Sequence, residues 1–165
     1  MKKYLLVDGF NIIHAWPDLK QQLKTNPNFA ISELAARVRV IHDVEAIDVC
    51  IVYDGKGAEI QFESPCNQKS FTVIFSPAHL SADTLIERML LKTKIPERFT
   101  IATHDLSIIH RAHSLKALVI DVSSLRSWIA SCEERQEQLL RYRSSKSVLG
   151  SSIRVRDKRG PLQGL

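Results

Sequence analysis

Five short apolar runs without polar alternation constrain this chain more than any other feature. They are Tyr4–Val7, Val49–Tyr53, Phe71–Phe75, Phe99–Ala102 and Ala117–Ile120. A strand with one wet face alternates apolar and polar residues. These runs do not alternate and are rich in β-branched residues, the pattern of strands buried on both faces in a parallel sheet. Parallel neighbours need crossovers, and helical patterns lie between the runs. Ile31, Leu34, Ala35, Val38, Ile41 and Val44 recur at helical spacing, with Ser32 near the start as a candidate cap. A second helix contains Leu85, Ile86, Met89 and Leu90 and opens at Ser81; a third spans about Leu106 to Ser114. A fourth contains Leu125, Trp128, Ile129, Cys132, Leu139 and Leu140 and opens at Ser123 or Ser124. Strands alternating with helices give βαβ units with right-handed crossovers. The expected fold is a three-layer α/β/α sandwich around a mainly parallel sheet.

One link differs from the rest. Gly55 to Ser70 joins two strands with no helical pattern, and reads as a mobile loop. The 165 residues fit a single domain. No apolar run approaches the ~20 residues of a membrane span, and the apolar stretch after Met1-Lys2-Lys3 ends at Asp8, short of a secretory leader. The reading is therefore a cytoplasmic chain with no membrane partner. Cys50, Cys66 and Cys132 show neither an even count nor CxxC spacing, so they suggest no disulfide framework and no zinc cluster.

Charge divides the chain unevenly. The whole carries net +5, yet residues 141–165 alone carry net +6, from Arg141, Arg143, Lys146, Arg154, Arg156, Lys158 and Arg159 against Asp157. The body is close to neutral. Residues 1–143 read as the folded domain, and 144–165 as a disordered basic tail that either tethers a polyanion such as RNA or simply stays solvated.

Aspartates end four of the five expected strands: Asp8, Asp54, Asp105 and Asp121. Strand C-termini of a parallel α/β sheet share one edge, and ligands bind there. Any one of these residues is explained by the turn preference of Asp. Four together would repel one another, and a divalent cation among them relieves the repulsion. Oxygen-only ligands suit Mg²⁺ or Mn²⁺ rather than zinc. Asp83 and Glu87 share one face of the helix that follows the third strand, near the same edge.

The residues at these positions resemble a known family. Val7-Asp8-Gly9-Phe10-Asn11-Ile12-Ile13, followed by Ala15-Trp16-Pro17, resembles the opening of the YacP-like proteins, NYN domains of the PIN-like nuclease superfamily. Ser81-Ala82-Asp83-Thr84-Leu85-Ile86-Glu87-Arg88 resembles the family's central acidic helix, and Ala102-Thr103-His104-Asp105 its fourth-strand motif. The three occur in the family's order and cover roughly Lys3 to Trp128 in register. The resemblance implies strand order 3-2-1-4-5 and an acidic metal site. It also implies endoribonuclease activity, in one subgroup on mRNA in association with the ribosome. By position Asp8, Asp83 and Asp105 match the metal-site acids, Asn11 the polar residue supporting the first, and Thr103 the hydroxyl beside the third. Two departures stand out. His104 occupies a place usually held by a small polar residue. Ser123-Ser124 stands where the family often has an acid, which leaves Asp121 as the candidate fourth ligand.

The site expected from residues and resemblance thus has Asp8, Asn11, Asp83 and Asp105 in catalysis. Asp8, Asp83, Asp105 and Asp121 hold Mg²⁺ or Mn²⁺; Thr103, Lys56, Arg154 and Arg156 meet the phosphates of a single-stranded mRNA. Trp16 either stacks on a base or packs over the first turn. Other phosphate chemistries fit less well. GxxxxGK[ST] is absent, the haloacid-dehalogenase position two residues after Asp8 is Phe10, and Gly9 stands without a glycine cluster. The rival reading is a PIN-like module that binds RNA or the ribosome without cutting.

Overall fold

The computed structural model describes residues 1–152, with side chains described as far as Lys146. Among these residues, six strands form one sheet: β1 (Tyr4–Asp8), β2 (Asp48–Tyr53), β3 (Gln61–Glu63), β4 (Phe71–Phe75), β5 (Phe99–Ala102) and β6 (Leu118–Ile120). Their spatial order is β3-β4-β2-β1-β5-β6. The five long-expected strands are parallel throughout and lie in the order 3-2-1-4-5. The sheet is flanked by α1 (Gly9–Ala15), α2 (Pro17–Thr25), α3 (Pro27–Glu45), α4 (Ala82–Lys92), α5 (Leu106–Ser114) and α6 (Val122–Ser152).

The absence of alternation in the strands follows from two buried faces. Leu5, Val7, Ile51, Tyr53 and Val73 face a core built with α1, α2, α3 and α6. Leu6, Val52, Ile74 and Ile101 face a second core under α4 and α5, with Leu85, Ile86, Leu90 and Ile108. Each buried aliphatic side chain contributes ~1.5–3 kcal/mol, so both layers are needed to hold the sheet flat and central.

Three local expectations are corrected, and one stretch carried no expectation. The stretch from Gly9 to Thr25 forms two short helices that hydrophobic spacing did not reveal, with Pro17 at the first turn of α2. α3 begins at Pro27 rather than near Ser32, because Asn26 caps it by accepting the Phe29 N–H at 3.1 Å. The Gly55–Ser70 link contains β3, antiparallel to β4 at the sheet's edge. Three residues are too few to show a period. The domain boundary expected at 143/144 falls inside α6, which runs to Ser152. Neither Pro nor Gly interrupts Val122 to Leu149, and Arg141 pairs with Glu137 one turn back.

Candidate active site

The centre of the sheet fixes where the acids meet. β1 lies between β2 and β5, so Asp8 ends the middle strand, with Asp54 just past β2 on one side and Asp105 just past β5 on the other. α4 brings Asp83 to the same edge from above. Asp54 Oδ1 accepts the Ala82 N–H at 2.8 Å, which docks the start of α4, and with it Asp83, against the end of β2. Ser81 caps the helix by accepting the Thr84 N–H at 3.2 Å. The turn out of β1 requires Gly9: a Cβ there would stand 2.2 Å from the Tyr53 ring.

Asp8 is 5% exposed and lies on the face shared with Leu6. Burial, and then the nearby carboxylates of Asp83, Asp105 and Asp54, push its pKa up to about 7, against the opposing effect of a hydrogen bond from Thr103. Asp83 is also raised, by burial first and then by Asp105, Asp54 and Glu87. Both shifts come first from burial, deepest at Asp8, and then from neighbouring negative charge. Glu87 itself lies 3.8 Å from Arg111 of α5.

The third acid is held differently. Asp105 caps α5, accepting the Ser107 and Ile108 N–H groups at 2.8 and 3.2 Å and the Ser107 hydroxyl at 2.5 Å. The Ser107 hydroxyl first, and then the two backbone donors, hold its carboxyl below the ordinary range. Thr103 links the two halves of the site. Its hydroxyl donates to Asp8 Oδ2 at 3.0 Å and accepts the Asp105 N–H at 3.0 Å. Being 1% exposed, it positions acids rather than meeting phosphate, a correction to its expected role in substrate binding. Asn11 likewise uses its side-chain oxygen on the chain itself, accepting the His104 N–H at 2.6 Å and so tying α1 to the turn after β5.

Asp121 does not join the cluster. It is exposed and caps α6 by accepting the Ser124 N–H at 2.7 Å and the Ser123 hydroxyl at 3.0 Å, contacts that lower its pKa. β6 stands two strands from β1, which corrects its assignment as a fourth ligand. Asp54, past the end of the neighbouring strand, is the acid whose charge reaches Asp8. The signal was present in the expected strand order, which puts the second strand next to the first and the fifth at the rim.

Lys56 is exposed at the carboxyl edge, on a loop pinned on both sides. Gly55 N–H meets Ser76 Oγ at 3.3 Å, and the Gly57 carbonyl accepts the Ala78 N–H at 2.8 Å. Gly55 is required there because a Cβ would lie 2.1 Å from the Ser76 carbonyl oxygen. Arg154 and Arg156 lie outside the described residues. Trp16 is 2% exposed, with the guanidinium groups of Arg126 and Arg37 over its ring at 5.1 and 5.8 Å, so it packs rather than stacks on a base.

The donor set of Asp8, Asp54, Asp83 and Asp105 is all oxygen, the chemistry of Mg²⁺ or Mn²⁺ sites. Among the described residues no three His, Cys, Asp or Glu side chains form a ready-made cage. A cation there would have to be held through one or two of these carboxylates, with waters completing its shell. The near-neutral pKa of Asp8 is the strain such a charge would relieve.

A central parallel sheet in 3-2-1-4-5 order, with carboxylates from the ends of three adjacent strands and one helix, defines a PIN-like nuclease domain. Within that class the chain belongs to the YacP-like NYN domain family, whose match spans residues 5–159. Two crystal structures of Rae1 (YacP) from Bacillus subtilis are similar to it. One shares 28% identity and a TM-score of 0.69, over 93% of this chain and 87% of that one. The other, a single-substitution mutant, shares 27% identity and a TM-score of 0.70, over 87% and 84%. Among curated proteins no relative matches by sequence. Membership places the chain among nuclease-type domains with an RNA-related role. Among the described residues no helix is long and apolar enough to cross a membrane.

Proposed function

We propose that this chain is a divalent-metal-dependent endoribonuclease that hydrolyses phosphodiester bonds of single-stranded RNA, with mRNA on the ribosome as its working substrate. The observation that carries the reading is the buried Asp8 carboxyl beside Asp54, Asp83 and Asp105 at the sheet's carboxyl edge. Such a cluster of carboxylates repels a phosphate, and a cation among them would relieve the repulsion.

Asp8 and Asp105 would hold the cation, Asp83 would face it from the helix through a water, and Asp54 adds charge and docks the start of α4. A Mg²⁺ or Mn²⁺ held there would supply an acidified water and neutralise the phosphate oxygens. Thr103 keeps Asp8 and Asp105 in register through one hydroxyl. Asn11 holds the turn that presents Asp105. Lys56 meets the phosphate backbone from the pinned loop, and Arg154 and Arg156 add long-range attraction for the polyanion.

The test is cleavage of a labelled single-stranded RNA by purified protein, with single-stranded DNA as control. Cleavage should stop in EDTA and return with Mg²⁺ or Mn²⁺. Cleavage that survives complete chelation removes the metal mechanism. Metal-independent binding without cleavage assigns the chain instead to the non-cutting RNA-binding modules, the reading that the absence of a ready-made cage among the described residues would favour.

A further inference from the structure

A second constellation lies at the opposite edge of the sheet, where the parallel strands begin. His42, in the last turn of α3, is 8% exposed, and both of its ring nitrogens are engaged. Nδ1 lies 2.7 Å from Asp43 Oδ1, and Nε2 lies 2.9 Å from the hydroxyl of Ser70. The other oxygen of Asp43 pairs with Arg39, one turn back, at 3.3 Å. A carboxylate only accepts, so Nδ1 carries the ring proton and Nε2 turns its lone pair to the Ser70 O–H. Hydroxyl, imidazole and carboxylate thus form one chain of hydrogen bonds, with the ring in the tautomer of a general base.

The fold holds these groups from both sides. Ser70 stands immediately before β4, where its carbonyl accepts the Val49 N–H at 2.8 Å, and the Phe71 N–H closes the preceding turn onto the Gln68 carbonyl at 3.1 Å. The Phe71 ring meets the imidazole edge-on, with centroids 5.6 Å apart. A cavity of about 390 Å³ opens beside them, and His42, Asp43 and Ser70 all line it. Ala46 and Ile47 give its wall an apolar stretch, and Gln68 brings a carboxamide to the same lining. Asp48, the other acid there, is paired with Lys2 at 2.9 Å. The six residues of β2 separate this cavity from the acidic edge by ~17–20 Å. A tie between α3 and β4 accounts for the Nε2 contact, but not for the carboxylate behind the ring or the open space beside the hydroxyl.

We infer that Ser70, His42 and Asp43 form a nucleophilic site that hydrolyses short uncharged carboxylic esters, an activity separate from the proposed nuclease function. Ser70 Oγ bonds to the ester carbonyl carbon while its proton passes to His42 Nε2. Asp43 and the C-terminal end of α3 lie beside the imidazolium so formed. The Gln68 carboxamide donates to the oxyanion. Collapse of the tetrahedral adduct breaks the carbon–oxygen bond to the alcohol, which leaves with the proton from His42. Water, activated by the same nitrogen, then releases the acid and restores the Ser70 hydroxyl.

The experiment treats the full chain with a fluorophosphonate, whose phosphorus bonds to an activated serine Oγ as fluoride leaves, and locates the adduct by peptide mass spectrometry. The label should fall on Ser70 alone and should be absent when the chain is denatured before treatment. Ser70→Ala should lose it. Asp43→Asn should slow labelling by about two to four orders of magnitude, because the amide no longer fixes the ring tautomer. Nitrophenyl acetate hydrolysis should rank the three chains in the same order. The label is mapped on the wild type, so the result does not depend on a variant folding. A native chain that takes up no label, or takes it on a different serine, overturns the site and leaves the His42–Ser70 bond as a tie between α3 and β4. Labelling of Ser70 at the same rate in Asp43→Asn also overturns it, since the carboxylate would then have no part in activating the hydroxyl. Neither result bears on RNA cleavage at the acidic edge.

Discussion

Two carboxylates end strands of the same sheet and live under opposite conditions. Asp121, at the rim, accepts a backbone N–H and a hydroxyl and is solvated, so its ionised form is favoured. Asp8, at the centre, is buried among like charges, and its ionised form is disfavoured. The sequence offers the same residue at the same kind of position in both cases. What separates them is how many strands flank each one. A rim strand leaves its terminal Asp free to cap the next helix, while the central strand's Asp is enclosed by both neighbours and by the helix above. The first arrangement stabilises the fold; the second costs stability, which is the mark expected of a functional site under the proposed function.

The largest expected effect tests the central member. Asp8→Asn should lower the rate of RNA cleavage by several orders of magnitude, because it removes the enclosed anionic ligand while Thr103 can still donate to the amide oxygen. A variant that cuts at the wild-type rate would make Asp8 a strand terminator like Asp121 and erase the contrast.

The same contrast has a stability signature in EDTA. A carboxyl raised from 3.8 to about 7 binds its proton more tightly in the folded chain than in the unfolded one. Its contribution to stability is complete below pH ~4 and is lost as pH rises through ~7, a loss of at most about 4 kcal/mol. Asp8→Asn lacks this loss. Chemical denaturation should therefore show the variant matching wild type near pH 4 and exceeding it at pH 8. Saturating Mn²⁺ should close the gap at pH 8 by stabilising the wild type alone. A gap that does not change with pH would show that Asp8 is not held against its preference.

At the rim the effect should be smaller and of the opposite sign. Asp121→Ala should cost ~0.5–2 kcal/mol of stability through the lost cap of α6, and leave the cleavage rate within a few-fold of wild type. Asp54→Ala also loses a cap-like contact, at Ala82, but should lower the rate far more, since α4 and Asp83 depend on it. Equal rates for these two variants would mean that distance from β1 does not rank the acids.

Much of this was legible in the sequence, for identifiable reasons. The strands were visible because burial on both faces leaves unbroken apolar runs, and α4 because its cap, Ser81, precedes clear helical spacing. Asp8 and Asp105 could be placed at one edge because strand ends share it, and Asp83 because it opens the helix after the third strand. The rest depended on tertiary contacts. α1 and α2 are too short to show a period; β3 exists only through its pairing with β4. Whether a hydroxyl such as that of Thr103 faces the ligand or the protein depends on its burial, which a three-residue motif does not encode. The exchange of Asp121 for Asp54 required the strand order to be used as a distance scale as well as a fold label.

The smallest effect concerns the basic end. α6 carries the chain past the expected boundary at 143, so the cut that isolates the tail's charge is deletion of residues 153–165. It removes Arg154, Arg156, Lys158 and Arg159 with Asp157, and leaves the helix and both cores intact. If those cations neutralise RNA phosphates, each releases a counterion, and the slope of log affinity against log salt should become shallower by up to ~3, at ~0.7 per contact on a single strand. Cleavage of a short RNA at saturating concentration should barely change, because the proposed catalytic acids lie at the carboxyl edge of the sheet and on α4. Parallel salt slopes for the two chains would place the electrostatic grip on the body instead, at Lys56.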